Sequence, residues 1–502
     1  MTTGLPERDT NWAPWLTSAF LLGMPLSRLG AGLEPYDLHR LMQIALLLAC
    51  SAVAVFHRSS RRRLWERLVT LPAAVRLSLL SFFLLGLLSV VFSPLPRWSL
   101  LEWCLFFQLG VLVASTSAYG RAGGFRIFET AVVWTVVALC TLLAAAYAGS
   151  LASGFLDWTA LHPAFSNRRF LGQVMTMTIP LVVAAASREG RFRGALWLLA
   201  AMWWCWTLGN GSRGTFLGLA AGLALASVVF GLRAGNLWRT GITTLAAGAF
   251  AFWFLAFLLP SWAGAEVFLE TARFASGDSL LNPNGRDLLW GNALVLVSDH
   301  PLVGAGPMMF ATLGTISAHP HSAALQILSE WGVPASLMAF VVLLASSQSV
   351  WRSRGLDRTS MYFSASTCAA LLCASVGGLA QSLVDGVLVV PTSQVLLATV
   401  LGWLWAAFGR DVPIGREGKG DTCVAGDIKK TRAGSLILAG SVLLTAAGVA
   451  ALSSPEWRNS QRLKDSYQPQ YLTLSYLDRM APRFWAQGRL QPSPGQPYDP
   501  WN

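Results

Sequence analysis

Residues 282–332 read NPNGRDLLWGNALVLVSDHPLVGAGPMMFATLGTISAHPHSAALQILSEWG, a polar stretch in a chain that is otherwise a succession of apolar runs. The stretch contains one arginine, three histidines and several glycines. The runs around it are long enough to cross a bilayer, so the stretch is expected to lie at a membrane surface. The stretch is therefore the candidate site.

The composition of the 502 residues is that of an integral membrane protein. Hydrophobic residues make up 54% and charged residues 12%, and the mean hydropathy is +0.50. The apolar runs are roughly 18 to 24 residues long, which suits helices and not the alternating segments of an outer-membrane barrel. The sequence predicts an all-α polytopic protein with 12–13 transmembrane helices and one long loop.

Thirteen spans are predicted, at about 13–31, 39–56, 75–93, 98–116, 127–149, 169–186, 195–210, 214–232, 240–260, 322–346, 361–381, 388–408 and 433–452. Residues 1–12 would precede the bundle of residues 13–452, residues 261–321 would form the long loop, and residues 453–502 a polar tail. The charged N-terminal residues, with no cleavage site after a short apolar core, predict that the first span is retained.

The basic residues give the orientation. If the spans alternate, one side holds 23 Lys and Arg and the other 14. By the positive-inside rule the richer side is cytoplasmic, which places the N-terminus in the cytoplasm and the long loop and tail on the outer side. Polar clusters around Arg168, Arg213 and Asp385 then fall on the outer side with the long loop.

Other functional classes find no support in the sequence. The formal charge of +12 is spread over short loops without an aromatic-interleaved groove, so topology explains it better than nucleic acid does. The seven cysteines form no CxxC pair, and no metal-ligand spacing or nucleotide-binding loop is present. We expect no metal, no cofactor and no nucleic-acid partner.

Helix signals divide the candidate stretch. Asn282-Pro283 predicts the start of a short amphipathic helix, with the buried face Leu289, Ala293, Leu296 and Val297, and His300-Pro301 predicts its end. In the next signal Pro320 would be the first residue and His321 the second residue of the tenth span, with a kink at Pro334. The positive end of that helix dipole would keep His321 neutral.

His321 is the leading candidate for a general base, because a neutral imidazole near pH 7 is competent for proton abstraction. The alternative is an interfacial histidine that only caps the helix. His319 has the same alternative as the helix N-cap, and His300 before Pro301 is interpreted as a helix end.

Arg286 and Arg213 are candidates to hold a diphosphate, because a guanidinium binds phosphate in a bidentate manner. An arginine at a helix end can instead extend to lipid headgroups. Arg169 with Gln173 forms a polar face that anionic headgroups explain equally well. Asp385 is either a functional acid or the partner of one of these arginines. Glu102 and Glu330 lie within spans and should be paired or face a cavity.

The segment from His321 to Gly332 resembles a family signature. His321-Ser322, nine residues and Gly332 are similar to the His-[Asn/Ser/Gln]-x9-Gly-x-x-Gly pattern of bacterial O-antigen ligases, with Ala335 in place of the second glycine. GRDLLW at 285–290 and GSRG at 211–214 resemble parts of the region shared by O-antigen ligases, O-antigen polymerases and O-linked oligosaccharyltransferases. The resemblance covers roughly residues 165–405.

The resemblance implies a metal-independent inverting glycosyltransferase with a GT-C-like fold in the bacterial inner membrane. It would move a glycan from undecaprenyl pyrophosphate to a lipid A-core acceptor at the periplasmic face. By the same resemblance His321 activates the acceptor and Arg213 and Arg286 hold the diphosphate, while Arg169 and Asp385 have looser counterparts.

Two alternatives to the ligase remain. The first is a sibling enzyme, such as an O-antigen polymerase or a pilin oligosaccharyltransferase with a protein or glycan acceptor. The second is a transporter of lipid-linked sugars. A transporter would be favoured by inverted repeats and broken helices at mid-membrane. The sequence shows no clear internal repeat.

Overall fold

The computed structural model describes residues 12–29, 33–119, 124–269, 285–313, 317–352, 363–409, 425–467 and 484. Within residues 425–467, side chains are described for residues 433–454 only. Nearly all of the described chain is helical. The first half holds α1 (Trp12–Gly23), α2 (Pro35–Phe56), α3 (Arg58–Val69), α4 (Ala73–Val91), α5 (Pro96–Tyr119), α6 (Gly124–Ala152), α7 (Arg168–Ala186) and α8 (Arg193–Asn210). The second half holds α9 (Arg213–Phe230), α10 (Gly235–Trp253), α11 (Leu259–Ala263), α12 (Arg286–Asp299), α13 (Ala323–Arg352), α14 (Ala365–Ser382), α15 (Pro391–Phe408) and α16 (Ala425–Tyr467).

The predicted all-α membrane architecture is confirmed. Ten stretches of the described chain are long and apolar enough to cross a membrane, and one of them, Arg213–Ala263, covers the eighth and ninth predicted spans. The first and seventh predicted spans coincide with α1 and α8, of 12 and 18 residues, which are not among the ten. The last helix continues to Tyr467, past the predicted end at residue 452.

A short parallel sheet joins two connections of the bundle. Strand β1 (Phe155–Asp157) follows α6 and pairs with β2 (Glu266–Phe268), which follows α11, with Leu156 opposite Val267. Residues 270–284 come next and lie outside the described residues, and so does the predicted helix start at Asn282 and Pro283. The predicted end at His300 is confirmed, because His300 caps α12.

Helices α9 and α14 touch backbone to backbone. A Cβ added to Gly218 would lie 2.6 Å from the carbonyl oxygen of Gly377, and one added to Gly222 would lie 2.3 Å from that of Cys373. Glycines spaced four residues apart form one stripe along a helix and let a second helix approach closely within a membrane. At the end of this stripe, a Cβ on Gly214 would be 3.7 Å from Oδ2 of Asp385, so the contact brings the start of α9 to the residues that follow α14.

The break in α13 lies at Gly332, and the predicted kink at Pro334 is therefore wrong in its position. Gly332 has φ 84° and ψ 167°, a conformation open essentially to glycine alone, while Pro334 follows within the helix. The break exists because the chain at Leu302 and Gly304 crosses there: a Cβ on Gly332 would lie 2.5 Å from the Leu302 carbonyl oxygen.

The two acids within the spans have hydrogen-bond donors, as predicted. Glu330, which is fully buried, accepts the Phe310 N–H at 2.9 Å through Oε1, and its carbonyl oxygen accepts the Gly306 N–H at 3.0 Å. Glu102 accepts a long hydrogen bond of 3.4 Å from Gln326. Glu330 thus fixes the connection between α12 and α13 to the body of the bundle.

Gly222→Ala tests the contact between α9 and α14. The new methyl group would meet backbone atoms that cannot move aside, so we expect a loss of about 1–3 kcal/mol of stability and a lower Tm in detergent. Gly149→Ala in α6 is the matched control, because its Cβ meets nothing within 4 Å. A Tm for Gly222→Ala equal to that of Gly149→Ala would contradict the close helix contact.

Candidate functional site

His321 lies in a strained turn before α13 and not inside the helix. Its φ is +51°, a left-handed value that few residues other than glycine adopt, and α13 begins two residues later at Ala323. The prediction that Pro320 and His321 are the first two helical residues is therefore wrong. The turn is fixed instead by the His321 N–H, which donates to Nδ1 of His319 at 3.1 Å.

Trp290 ties this turn to α12. Its indole N–H donates to the Pro320 carbonyl oxygen at 3.1 Å, and the two neighbouring rings of His319 and His321 lie 4.1 Å apart between centroids. Leu289, Ala293 and Leu296 form the buried face of α12, as predicted, and Val297 is half-buried. Helix α12 therefore carries Arg286 at its start and, through Trp290, holds the turn of residues 319–321, which we call the histidine turn.

Asp385 faces the histidine turn from the connection between α14 and α15. Its carboxylate is buried, accepts the Gly386 N–H at 2.8 Å, and accepts a long bond of 3.4 Å from Gln381. Gly386 packs directly under His319, since a Cβ there would lie 2.7 Å from His319 Cε1. A larger residue at position 386 would displace that ring.

His321 and Asp385 form a buried pair. Nδ1 of His321 lies 3.7 Å from Oδ1 of Asp385, longer than a direct hydrogen bond but within ion-pair range, and the side chains are 14% and 4% exposed. Burial lowers the pKa of His321 below its usual 6.5, and the charges of Arg169 and Arg286 lower it further, while Asp385 opposes them. His321 is therefore neutral at pH 7. Burial is the largest cause of the lowered pKa.

The carboxyl of Asp385 remains ionised in this setting. Burial alone would raise its pKa, but His321, Arg169 and Gln173 together hold the pKa below its ordinary value. Gln173 is fixed beside Asp385 by Ser393, whose hydroxyl donates to Gln173 Oε1 at 2.6 Å.

Three helices begin with arginine around this pair. α7 starts at Arg168-Arg169, α9 at Arg213 and α12 at Arg286. Cations normally favour helix C-termini, because the N-terminus already carries partial positive charge from its free N–H groups. Arginine at three converging N-termini therefore concentrates positive charge in one place.

The arginines are close enough to affect one another. Burial lowers the pKa of Arg286, the charges of Arg169 and Arg213 lower it further, and Asp385 raises it. All three side chains are half-buried. Three guanidinium groups with one carboxylate and a neutral histidine leave a net positive cluster, which is the electrostatic requirement of a site for a multiply charged anion.

The seven residues predicted to bind substrate or to catalyse transfer are thus brought together: His321, Arg286, Arg213, Arg169, Asp385, Gln173 and His319. We call the end of the bundle that carries them the site face. Trp290, Gln381 and Gly386 were missed. Gln381 could have been found, because it lies one helical turn before Asp385, and Trp290 could have been found as the last residue of the GRDLLW segment at 285–290. Among the described residues, no group of three His, Cys, Asp or Glu could hold a metal ion.

The protonation of His321 can be measured directly. The chain has six histidines, so histidine-selective labelling with NMR titration is practical, and His321→Gln assigns the signal. We expect a pKa below 6.5 for His321, and a still lower one in Asp385→Asn, because that substitution removes the group that raises it. A pKa at or above 6.5, or a rise in Asp385→Asn, would contradict the arrangement.

Comparison with known proteins bears on this site. No curated protein matches the chain. A family model described as O-antigen ligase matches residues 194–340, which include Arg213, Arg286, His319 and His321. This match confirms the resemblance to the O-antigen ligase superfamily of membrane glycosyltransferases.

Proposed function

We propose that the protein transfers a glycan from undecaprenyl pyrophosphate to a lipid A-core acceptor, as an O-antigen ligase does. The protein would lie in the bacterial inner membrane with its N-terminus in the cytoplasm and the site face toward the periplasm. The excess of Lys and Arg in the loops opposite the site face supports this orientation.

The convergence of three arginine-starting helices on one neutral histidine carries the proposal. A lipid diphosphate is a multiply charged anion located at the edge of the bilayer, where the free N–H groups of helix starts and the guanidinium groups can bind it together. Arg169, Arg213 and Arg286 supply the guanidinium groups.

His321 acts as the general base in this proposal. With Nδ1 facing the Asp385 carboxylate, the proton of the neutral ring resides on Nδ1, and Nε2 is available to accept the proton of an acceptor hydroxyl. Asp385 then stabilises the imidazolium that forms. The left-handed backbone of His321 and its contact with His319 fix the direction of the ring.

The transfer is a single displacement. The acceptor oxygen forms a bond to the anomeric carbon as the bond from that carbon to the diphosphate oxygen breaks, with inversion at the carbon. The proton goes to His321, and the electron pair leaves with the lipid diphosphate, whose charge the arginines stabilise. Because diphosphate is a good leaving group, no general acid is needed.

His321→Ala tests the base. Transfer by the purified protein should fall roughly 10²–10⁴-fold, which is the usual contribution of a general base, with normal protein levels. His300→Ala is the matched control, a histidine of the same stretch at the end of α12 that keeps its activity in this proposal. Near-normal transfer by His321→Ala would refute the role.

The acceptor is tested by the lipopolysaccharide of a deletion strain. Loss of a ligase should leave lipid A-core alone, and the wild-type gene should restore the full ladder while His321→Ala should not. Core plus a single repeat would instead indicate a polymerase, and an unchanged ladder together with loss of the glycan from a target protein would indicate an oligosaccharyltransferase. Movement of the lipid donor in vesicles without product would support the transporter and reject the enzyme.

A further inference from the structure

Arg40 is a fully buried arginine on α2, close to the start of that helix. Its guanidinium group donates to acceptors on several elements. The bonds run from Nη1 to Gln394 Oε1 at 2.8 Å and to Gln43 Oε1 at 2.5 Å, from Nη2 to the Val389 carbonyl oxygen at 2.7 Å and to the Tyr36 hydroxyl at 3.1 Å, and from Nε to the Phe484 carbonyl oxygen at 2.8 Å.

One of these acceptors, the Val389 carbonyl oxygen, belongs to the turn of residues 386–390 that follows Asp385, and a second, Gln394, is hydrogen-bonded to that turn. The Val389 carbonyl oxygen accepts from Arg40 and also from the Tyr36 hydroxyl, at 3.2 Å. Gln394, whose side-chain oxygen Arg40 binds, donates through Nε2 to the Leu388 carbonyl oxygen at 2.6 Å. One guanidinium group therefore fixes this turn both directly and through Gln394.

The 386–390 turn holds Asp385 and His319 in position. The Val389 and Val390 N–H groups both donate to the Gly386 carbonyl oxygen, at 2.9 and 3.0 Å, so residues 386–390 form one compact unit. Gly386 in turn donates to the Asp385 carboxylate and packs under His319. A shift of the turn would therefore displace both Asp385 and the His319 ring from His321.

We propose that Arg40 is a positioning residue, which fixes the 386–390 turn and through it the alignment of Asp385 with His321. Arg40 is not a phosphate-binding group in this proposal, because its side chain is buried and its donors are engaged within the protein. The effect on transfer rests on the proposed function, whereas the effect on the turn does not.

Arg40→Lys is the main test variant. Lysine keeps the charge, but its three donors lack the fork that reaches both the glutamine pair and the Val389 carbonyl oxygen. Tyr36→Phe is a milder second variant: it removes the hydroxyl bond to Val389 and the bond that this hydroxyl accepts from Arg40, but leaves the direct bond from Arg40 to Val389. Arg67→Lys is the matched control: Arg67 is also buried, and it donates to Ser117 and to the Trp405 carbonyl oxygen, near the far end of α15.

The first readout is hydrogen exchange of the full-length protein in detergent, followed by mass spectrometry of the peptide that covers residues 386–390. We expect exchange in Arg40→Lys to be roughly tenfold faster than in wild type, as for the loss of a hydrogen bond from a charged donor. Tyr36→Phe should show a smaller increase in the same peptide, and Arg67→Lys none. Equal exchange in Arg40→Lys and Arg67→Lys would overturn the proposal, whether or not the protein is a glycosyltransferase.

The second readout is a double-mutant cycle with Asp385→Asn in the transfer assay. If Arg40 acts through Asp385, Arg40→Lys should lower kcat about tenfold with little change in the donor KM, and should cost much less when Asp385→Asn is already present. Arg67→Lys should show no such coupling. Losses that multiply independently for Arg40→Lys and Asp385→Asn would contradict the positioning role. Absence of transfer by the wild type would instead reject the proposed function and leave the exchange result to decide on the turn.

Discussion

The backbone contact between α9 and α14 is the constraint on which the site depends. Gly218 and Gly222 allow the two helices to approach at a distance that any side chain would prevent. Because lipid tails are as apolar as the side chains of the bundle, helices in a membrane gain stability from such close packing and not from the hydrophobic effect. The approach also carries Gly214 to Asp385, and so brings one of the arginine-starting helices against the acid that faces His321.

The proposed function places two electrostatic demands on a few residues. A diphosphate site would need concentrated positive charge, whereas a general base would have to remain neutral. Positive charge near His321 serves both demands, since it binds an anion and also disfavours protonation of the imidazole. Asp385 opposes this effect on His321 and is itself held in the ionised form, so it can stabilise the imidazolium only after the proton has moved.

Rigidity around His321 comes from outside the site. Trp290 on α12 holds the histidine turn through a hydrogen bond, and Gly386 packs against the His319 ring. Glu330, within the bundle, fixes the chain between α12 and α13. A left-handed backbone at a histidine costs free energy and persists only where its surroundings enforce it. We infer that these contacts compensate for that cost.

The spans and the location of the site residues on one face could both be predicted from the sequence, because both follow from the geometry of the bilayer. A bilayer sets the length of each span, and alternation of the spans then assigns Arg213, His321 and Asp385 to one face without knowledge of the tertiary structure. The backbone at His321 and the break at Gly332 could not be predicted in this way. Both depend on contacts between distant segments, His321 with α12 through Trp290 and Gly332 with Leu302, which local helix signals do not contain.

The most direct test of the account is equilibrium binding of undecaprenyl pyrophosphate to the purified wild type, His321→Ala and Arg286→Gln. In the proposed function the arginines bind the diphosphate and His321 acts on the acceptor. His321→Ala should therefore bind the lipid as the wild type does, while Arg286→Gln should bind at least about tenfold more weakly, or about 1.4 kcal/mol. Weakened binding in His321→Ala together with unchanged binding in Arg286→Gln would contradict it.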